Sequence, residues 1–279
     1  HVFLWTTTYN SSTYTTFTPF IQLAHTNGMT VHAICATRNT VTNSTGLSSA
    51  LLQDVIDEVL LYNTNHPAAK FDGVQIDVEG VTGSNLFNLV QGVTVPETVV
   101  FSADVQPNEF YSGVESYYSN LLQNTDLDLL LPMIYIMDGI WYSGGTNKYA
   151  FTVPGIGTKT DKLLALLPSQ GRMMTGLSAY DLEFAVTKGG STDSSFSCNG
   201  ASQMAFGSGS CAVPHLATIY PLSDVFYQSN GGLSVYRFEA DTNHWMDVLE
   251  MPPSGLRRCI AAADQAGSGD SRYVGPCSW

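Results

Sequence analysis

Two acids and an amide occupy alternate positions in residues 71–80, which read FDGVQIDVEG. In an extended strand, successive side chains point to opposite faces, so Gln75, Asp77 and Glu79 share one wall. The opposite face holds β-branched residues, which favour a strand: Val74, Ile76 and Val78. A row of acids just before a turn is typical of the carboxyl end of a strand in an α/β fold, where such folds place their chemistry.

The chemistry that this wall suits is cleavage of a glycosidic bond. The leaving oxygen needs a proton, because an alkoxide is a poor leaving group at neutral pH. Asp77 and Glu79 would lie about 6.5 to 7 Å apart along a strand, so their side chains can reach one another. Ionising both would bring like charges together, which keeps one group protonated as an acid. Glu79 is therefore the candidate general acid; the alternatives are a buried polar row without catalysis and a surface edge strand.

The elements that must position this wall alternate between strands and helices. Strand patterns cover residues 2–7, 29–36, 71–80, 98–105, 127–136, 173–180 and 232–238, and helix patterns cover 17–26, 47–63, 84–91, 114–124 and 161–167. The helix at 47–63 is expected to bury Leu51, Val55, Val59 and Tyr62. The alternation predicts parallel βα units. The 279 residues fit one α/β barrel, so we expect a single domain over residues 1–279, with a Gly/Ser-rich excursion near 187–215.

The acidic stretch resembles the signature of family 18 glycoside hydrolases, the chitinase-like enzymes. That signature reads Asp-Gly-apolar-Asp-apolar-Asp-x-Glu on a barrel strand. The matching positions in this chain are Asp72, Gly73, Val74, Ile76, Asp77 and Glu79. Gln75 stands where the family has its first inward Asp.

The resemblance continues at three later strand ends. Met133-Ile134-Tyr135 is similar to the Met-x-Tyr strand end of chitinases, whose Tyr reaches the reacting sugar. Residues 176–180 end in Tyr180, as the family's Gly-x-x-x-Tyr strand does. Residues 231–236 resemble the final strand, with Tyr236 in place of the Trp that floors the pocket. These matches imply a (β/α)8 TIM-like barrel with an incomplete or atypical first strand, because residues 2–7 align with the family's second strand.

The resemblance also implies a division of roles. Glu79 would be the general acid/base, the substrate's own acetamido oxygen the nucleophile, and Asp77 the residue that orients this group with help from Tyr135. Gln75 can orient Asp77 by hydrogen bonding but cannot share a proton with it, so we expect an altered pH dependence. Further residues at strand ends or in the following loops are candidates for substrate contact: Asp104, Asp138, Trp141, Tyr180 and Tyr236. Helix capping by the acids and core packing by the aromatic rings are their structural alternatives.

We therefore expect a glycoside hydrolase that cleaves a β-linked N-acetylhexosamine polymer. Two other functions stay open. One is a glycosidase of another barrel family, in which Glu79 acts with a distant carboxylate such as Asp104 or Asp138 on a sugar without an acetamido group. The other is a sugar-binding protein on the same scaffold; Glu79 favours catalysis, and Gln75 keeps the binding function open.

The composition excludes other classes of partner. A net charge of −13 with 11 Lys and Arg argues against a nucleic-acid partner. The sequence contains no apolar run of about 18 residues, so it predicts no membrane-spanning helix. No phosphate-binding loop is present and the six His show no close metal-ligand spacing, so we expect neither cofactor nor metal. An acidic, lightly charged chain rich in Ser, Thr, Asn and Gly is typical of a secreted, extracellular protein. We expect a monomer that acts on a polysaccharide or oligosaccharide.

The cysteines and two sequons fit an extracellular chain. Proximity in sequence favours the pairs Cys198–Cys211, across the Gly/Ser-rich excursion, and Cys259–Cys277, across the C-terminal tail, although four cysteines permit three pairings. Cys35 lies in an apolar run and is expected to be a buried free thiol. Asn-Ser-Ser at Asn10 and Asn-Ser-Thr at Asn43 match the N-glycosylation sequon.

Overall fold

The computed structural model describes residues 1–6, 9–78, 83–105, 114–134, 153–177, 182–187, 197–198, 201–202, 226–230, 233–239, 244–250 and 253–278. Contacts between Cα atoms group the chain into two compact units. The first contains residues 1–133, 163–174 and 270–274, and the second contains residues 134–162, 175–269 and 275–279. The single-domain assignment stays a prediction.

Strands and helices alternate through the first part of the chain. They are β1 (Val2–Trp5), α1 (Ser11–Tyr14), a 3-10 turn (Thr15–Phe17), α2 (Thr18–Thr26), β2 (Val31–Thr37), β3 (Thr42–Asn43), β4 (Gly46–Leu47), α3 (Ser49–Asn65), β5 (Gly73–Asp77), α4 (Gly83–Gln91), β6 (Val100–Val105), α5 (Val114–Asn124) and β7 (Leu129–Pro132). The remaining elements are α6 (Val153–Ala165), β8 (Arg172–Leu177), β9 (Leu182–Thr187), β10 (Ser197–Cys198), β11 (Ala201–Ser202), β12 (Phe226–Asn230), β13 (Leu233–Glu239), β14 (His244–Glu250), α7 (Pro253–Gly267) and β15 (Tyr273–Ser278). None of the described helices is long and apolar enough to cross a membrane.

The principal sheet has seven strands in the order β1-β2-β5-β6-β7-β8-β15. Each neighbouring pair from β1 to β8 is parallel. Helices follow β1, β2, β5, β6 and β7 along the chain, as βα units require. This arrangement confirms the predicted α/β, TIM-like barrel class with an incomplete set of strands.

The seventh strand of this sheet differs from the sequence prediction. Residues 232–238 were expected to form the last barrel strand, but β13 lies in a separate antiparallel sheet with the order β12-β13-β14-β9. Asn230 of β12 pairs with Leu233 of β13, and the two residues between them in the sequence match the spacing of a tight hairpin. The C-terminal strand β15 takes the seventh place instead.

Helix α3 and the following loop fix the start of β5. The buried face of α3 consists of Leu52, Ile56, Val59, Tyr62 and Asn63, so the predicted stripe is shifted at its N-terminal end, where Leu51 and Val55 are half-buried. Asn63 accepts a hydrogen bond from the Phe71 amide at 2.8 Å and donates one to the Phe71 carbonyl at 2.9 Å. The Asn63 side chain therefore satisfies the amide and the carbonyl of Phe71, which have no backbone partner within the residues that the structure describes.

Asp72 continues this attachment. Its Oδ2 atom lies 2.9 Å from His25 Nε2 and accepts a hydrogen bond from the Val31 amide at 2.7 Å. The same carboxylate thus contacts the end of α2 and the start of β2. Asp72 matches the family signature, but in this chain it holds the beginning of β5 in place, away from the carboxyl end of the strand.

The predicted disulfide between Cys259 and Cys277 is wrong. No disulfide joins them: Cys259 lies on the buried face of α7 with Ala263, whereas Cys277 is half-buried in β15. A disulfide needs Cβ atoms about 3.8 Å apart, and proximity in sequence does not ensure this when a helical face turns one thiol inward. Burial raises the pKa of Cys259 to about 11. The Cys198–Cys211 pair falls outside the described side chains and stays a prediction.

Candidate functional site

Strand β5 presents a polar side chain on a face that is otherwise core. Gln75 is fully buried, as are Val74 and Ile76 on the opposite face, while Asp77 at the carboxyl end is half-buried. Burial on both faces is expected for a central strand of a parallel sheet. The alternation predicted from the sequence is confirmed as far as Asp77.

Gln75 is joined to the neighbouring strand by a buried hydrogen bond. Its Nε2 atom donates to Oδ1 of Asp104 on β6 at 2.9 Å, and Asp104 is 4% exposed. The Oε1 atom of Gln75 is also shielded from solvent and has no hydrogen-bond partner among the described residues. The structure therefore brings two predicted site residues together, but as a buried pair beneath the strand ends.

A β-bulge in β2 shapes the other side of the acid row. Ile34 pairs with Gln75 and Ala36 pairs with Ile76, so Cys35 is the extra residue between them. After the bulge, Thr37 lies directly opposite Asp77. Bulges are common next to functional sites because they redirect a side chain, and here the bulge aligns Thr37 with the candidate acid.

The bulged residue, Cys35, is the buried free thiol that the sequence predicts, and its burial excludes a role as a nucleophile. Cys35 is fully buried, and its Sγ atom donates to the Gln75 carbonyl at 3.4 Å. Burial raises the pKa of its thiol to about 12. The thiolate is the reactive form, so this buried thiol acts as packing and not as a nucleophile.

Tyr9 is a site residue that sequence patterns did not identify. Burial raises the pKa of its phenol and the charge of Asp77 adds to that increase, whereas hydrogen bonds with the side chains of Thr37 and Trp5 lower it. Its ring therefore lies within electrostatic range of the candidate acid. No periodic pattern covers Tyr9, because it follows β1 in a polar stretch.

The remaining predicted site residues divide into two groups. Five fall outside the described residues: Glu79, Tyr135, Asp138, Trp141 and Tyr180. Tyr236 lies on β13, in the four-stranded antiparallel sheet. Their contacts with substrate stay predictions.

Two histidines meet at the opposite, amino-terminal end of β1 and β2. His1 Nδ1 lies 2.9 Å from His32 Nε2, although the residues are far apart in sequence. His32 is fully buried, and burial lowers its pKa to about 4, so it is neutral at pH 7. Within the described part of the chain, no group of three or more His, Cys, Asp or Glu is placed to hold a metal ion.

The solved structures that this fold resembles include proteins named as chitinases, an N-acetylglucosaminidase and spore cortex-lytic enzymes. A glycoside hydrolase family 18 N-acetylglucosaminidase from Paenibacillus barengoltzii is 10% identical with a TM-score of 0.55, over 94% of this chain and 81% of that chain. A chitinase from Chromobacterium violaceum is 12% identical with a TM-score of 0.55, over 94% and 78%. The spore cortex-lytic enzyme SleL of Bacillus cereus is 13% identical with a TM-score of 0.54; this chain covers 58% of its length, and 94% of this chain is matched.

The chain shares the fold of these enzymes. Identities of 10–13% carry the fold and no more. No protein-family model matches the chain, and no curated protein sequence matches it either. Function must therefore be argued from the residues at the carboxyl end of the sheet.

Proposed function

We propose that the chain is a glycoside hydrolase that cleaves a β-linked N-acetylhexosamine polymer, with Glu79 as general acid/base. The observation that carries the proposal is the place of Asp77. This residue ends the central strand β5 of a parallel sheet, at the edge where α/β barrels hold their active sites. Glu79 follows two residues later in the sequence.

The proposed reaction is assisted by the substrate. Glu79 donates its proton to the glycosidic oxygen as the bond to the anomeric carbon breaks, and the acetamido carbonyl oxygen bonds to that carbon in its place. Asp77 orients the acetamido group and stabilises the positive charge that develops on it, with Tyr135 as a further hydrogen-bond donor. Water then attacks the anomeric carbon and displaces the acetamido oxygen, whose bond to that carbon breaks; the water gives one proton to Glu79, which returns the site to its starting state.

The buried pair below Asp77 supports this arrangement. Because Asp104 accepts a hydrogen bond from Gln75 Nε2, the amide is fixed with its Oε1 atom free to face a donor. Gln75 then acts as a positioning residue for the end of β5. The burial of Asp104 also argues against its use as the second carboxylate of a glycosidase that acts on sugars without an acetamido group, because that role requires contact with sugar or water.

We also propose that the protein is secreted. Of the two sequons, Asn43 is exposed, whereas Asn10 is half-buried and its Oδ1 atom caps α1 by accepting from the Thr13 amide at 2.8 Å. Asn43 is therefore the better placed acceptor for a glycan. Enzymatic deglycosylation of secreted protein should lower its mass, and Asn43→Gln should remove most of that change.

The decisive experiment compares hydrolysis of soluble oligosaccharides by the parent protein, Glu79→Gln and Glu97→Gln. The panel contains N-acetylated, de-N-acetylated and neutral oligomers. Glu97 is an exposed acid outside the strands, so its amide variant is a matched control for the change in charge. We expect cleavage of acetamido sugars only, lost in Glu79→Gln and retained in Glu97→Gln.

Other outcomes lead to other assignments. Hydrolysis retained by Glu79→Gln would remove Glu79 from the role of acid. Cleavage of sugars without an acetamido group would indicate a glycosidase of another type, and saccharide binding without cleavage by the parent would make the protein a lectin.

A further inference from the structure

An exposed indole ring lies at the carboxyl end of β1. Trp5 is 57% exposed. The other large hydrophobic side chains exposed in the described part of the chain lie on helices or just beyond a helix end: Phe20, Leu23, Met29 and Leu61. Trp5 is thus the exposed aromatic ring that the described part of the parallel sheet presents.

The strand register places this ring on the same face as the candidate site. Trp5 pairs with Ile34 of β2, and Ile34 pairs with Gln75 of β5. Partners in a parallel register point to the same side of a sheet, so Trp5 and Gln75 share a face. Two residues earlier on this face, the rings of Phe3 and His32 pack with centroids 4.8 Å apart, as this register requires.

The distance between the ring and the acid row follows from the strand spacing. β1 and β5 are separated by β2, which corresponds to roughly 10 Å between backbones. This is more than the width of one pyranose ring. A saccharide with its cleaved bond at Asp77 would therefore meet Trp5 with a different sugar of the same chain.

Tyr9 connects the ring to the site. Its side chain hydrogen bonds to those of Trp5 and Thr37, and because the indole N–H is only a donor, the Tyr9 oxygen accepts from Trp5. Thr37 lies opposite Asp77 in the register. A ring that is exposed and also held by a hydrogen bond loses little conformational freedom when a ligand packs on it.

We propose that Trp5, oriented by Tyr9, is a stacking platform for a second sugar ring of the saccharide that the site binds. The apolar C–H face of a pyranose packs on the indole, while the Tyr9 and Thr37 hydroxyls contact the sugar hydroxyls at its edge. The identity of this saccharide rests on the proposed function, whereas the platform itself requires only that a saccharide binds. Trp5 therefore contributes to affinity for longer chains and not to the bond-breaking step.

The test measures binding without turnover. The Glu79→Gln protein is titrated by calorimetry with a disaccharide and a hexasaccharide of β-1,4-linked N-acetylglucosamine. The same titrations are repeated with three double variants, in which the Glu79→Gln protein also carries Trp5→Ala, Trp5→Phe or, as a matched control, Phe20→Ala. Phe20 is an aromatic residue, 41% exposed, on α2.

We expect Trp5→Ala to weaken hexasaccharide binding by about tenfold, which corresponds to about 1.4 kcal/mol, and to leave disaccharide binding unchanged. Trp5→Phe should retain most of the affinity because a ring remains, and Phe20→Ala should have no effect. Three results would overturn the proposal: Trp5→Ala lowers the affinity for both saccharides equally, Trp5→Ala leaves the affinity for the hexasaccharide unchanged, or the Glu79→Gln protein binds neither saccharide. Failure of the proposed function has a different signature: the Glu79-containing protein does not hydrolyse the hexasaccharide, while Trp5→Ala still weakens its binding.

Discussion

The hydrogen bond from Gln75 to Asp104 joins β5 to β6, two residues before Asp77 on β5, and a double-mutant cycle measures its contribution. Gln75→Met removes a donor from a carboxyl group that is 4% exposed, and Asp104→Leu removes the acceptor of the Nε2 atom of a fully buried amide. A buried polar group that loses its partner costs about 1–3 kcal/mol, and more when it is charged. We therefore expect each single variant to lower the free energy of unfolding by about 2–3 kcal/mol, with Gln75→Met the more damaging.

The double variant distinguishes a paired interaction from two independent losses. When both partners become apolar groups of similar shape, neither leaves an orphan, so the combined loss should fall short of the sum by about 1–2 kcal/mol. Urea unfolding followed by circular dichroism gives the four free energies, provided that the m-values agree. In thermal unfolding, each kcal/mol should lower Tm by roughly 2–4 °C for a chain of this size.

A coupling energy below about 0.5 kcal/mol would refute this reasoning, because independent sites add within that range. Equal stability of all four proteins would do so as well. The activity of the single variants offers a second readout: if Gln75 positions the end of β5, both should lower kcat more than they change KM.

Three other changes test the structure at separate points. Asp77→Asn should reduce hydrolysis of acetamido sugars less completely than Glu79→Gln does, and an equal loss on substrates without this group would contradict substrate assistance. Burial lowers the pKa of His32 from 6.5 to about 4, so its neutral form contributes stability above pH 6.5 that is lost as the pH falls from 6.5 to 4. Between pH 7 and pH 4.5 this loss amounts to about 2.4 kcal/mol, and His32→Asn should remove that share of the acid dependence measured by urea unfolding at the two pH values. In Gly73→Ala, the new Cβ would lie 2.1 Å from His32 Nδ1 and 2.7 Å from the Val100 carbonyl oxygen, so we expect the free energy of unfolding to fall by about 3 kcal/mol. In the control Gly157→Ala on α6, the nearest atom is 3.4 Å away, so the free energy of unfolding should rise by about 0.5–1 kcal/mol. Urea unfolding measures both changes.

Periodic patterns predicted the elements of the parallel sheet well, because apolar alternation decides which face of a strand enters the core. Residues 71–80 and 98–105 contain β5 and β6 as predicted, and residues 173–180 cover β8 except for its first residue, Arg172. The helix α6 begins at Val153, well before the predicted start at Asp161. Pro154 belongs to its first turn, where proline is tolerated, and the nearby glycines weakened the sequence signal.

Contacts between strands could not be predicted, because register is a property of tertiary structure. The sequence shows Gln75 and Asp104 as separate candidates, and only the alignment of β5 with β6 makes them partners. The bulge at Cys35 has the same character: one extra residue in β2 places Thr37 opposite Asp77, and no composition signal marks it. The pairing of β13 with β12 could have been predicted, because Gly231 and Gly232 are the strongest hairpin signal in that part of the sequence.

The amide at Gln75 changes what supports the candidate acid, but a carboxyl group is still hydrogen-bonded to that amide. A carboxylate at this position would share a proton with Asp77, which an amide cannot do. In this chain Gln75 Nε2 instead donates a hydrogen bond to the carboxyl group of Asp104 on β6. This hydrogen bond fixes the orientation of the amide and leaves Oε1 to accept from a donor in the site. Relative to the family signature, Gln75 would replace a proton-sharing partner with a fixed acceptor, so we expect Asp77 to keep a constant orientation and to have no proton moving beneath it.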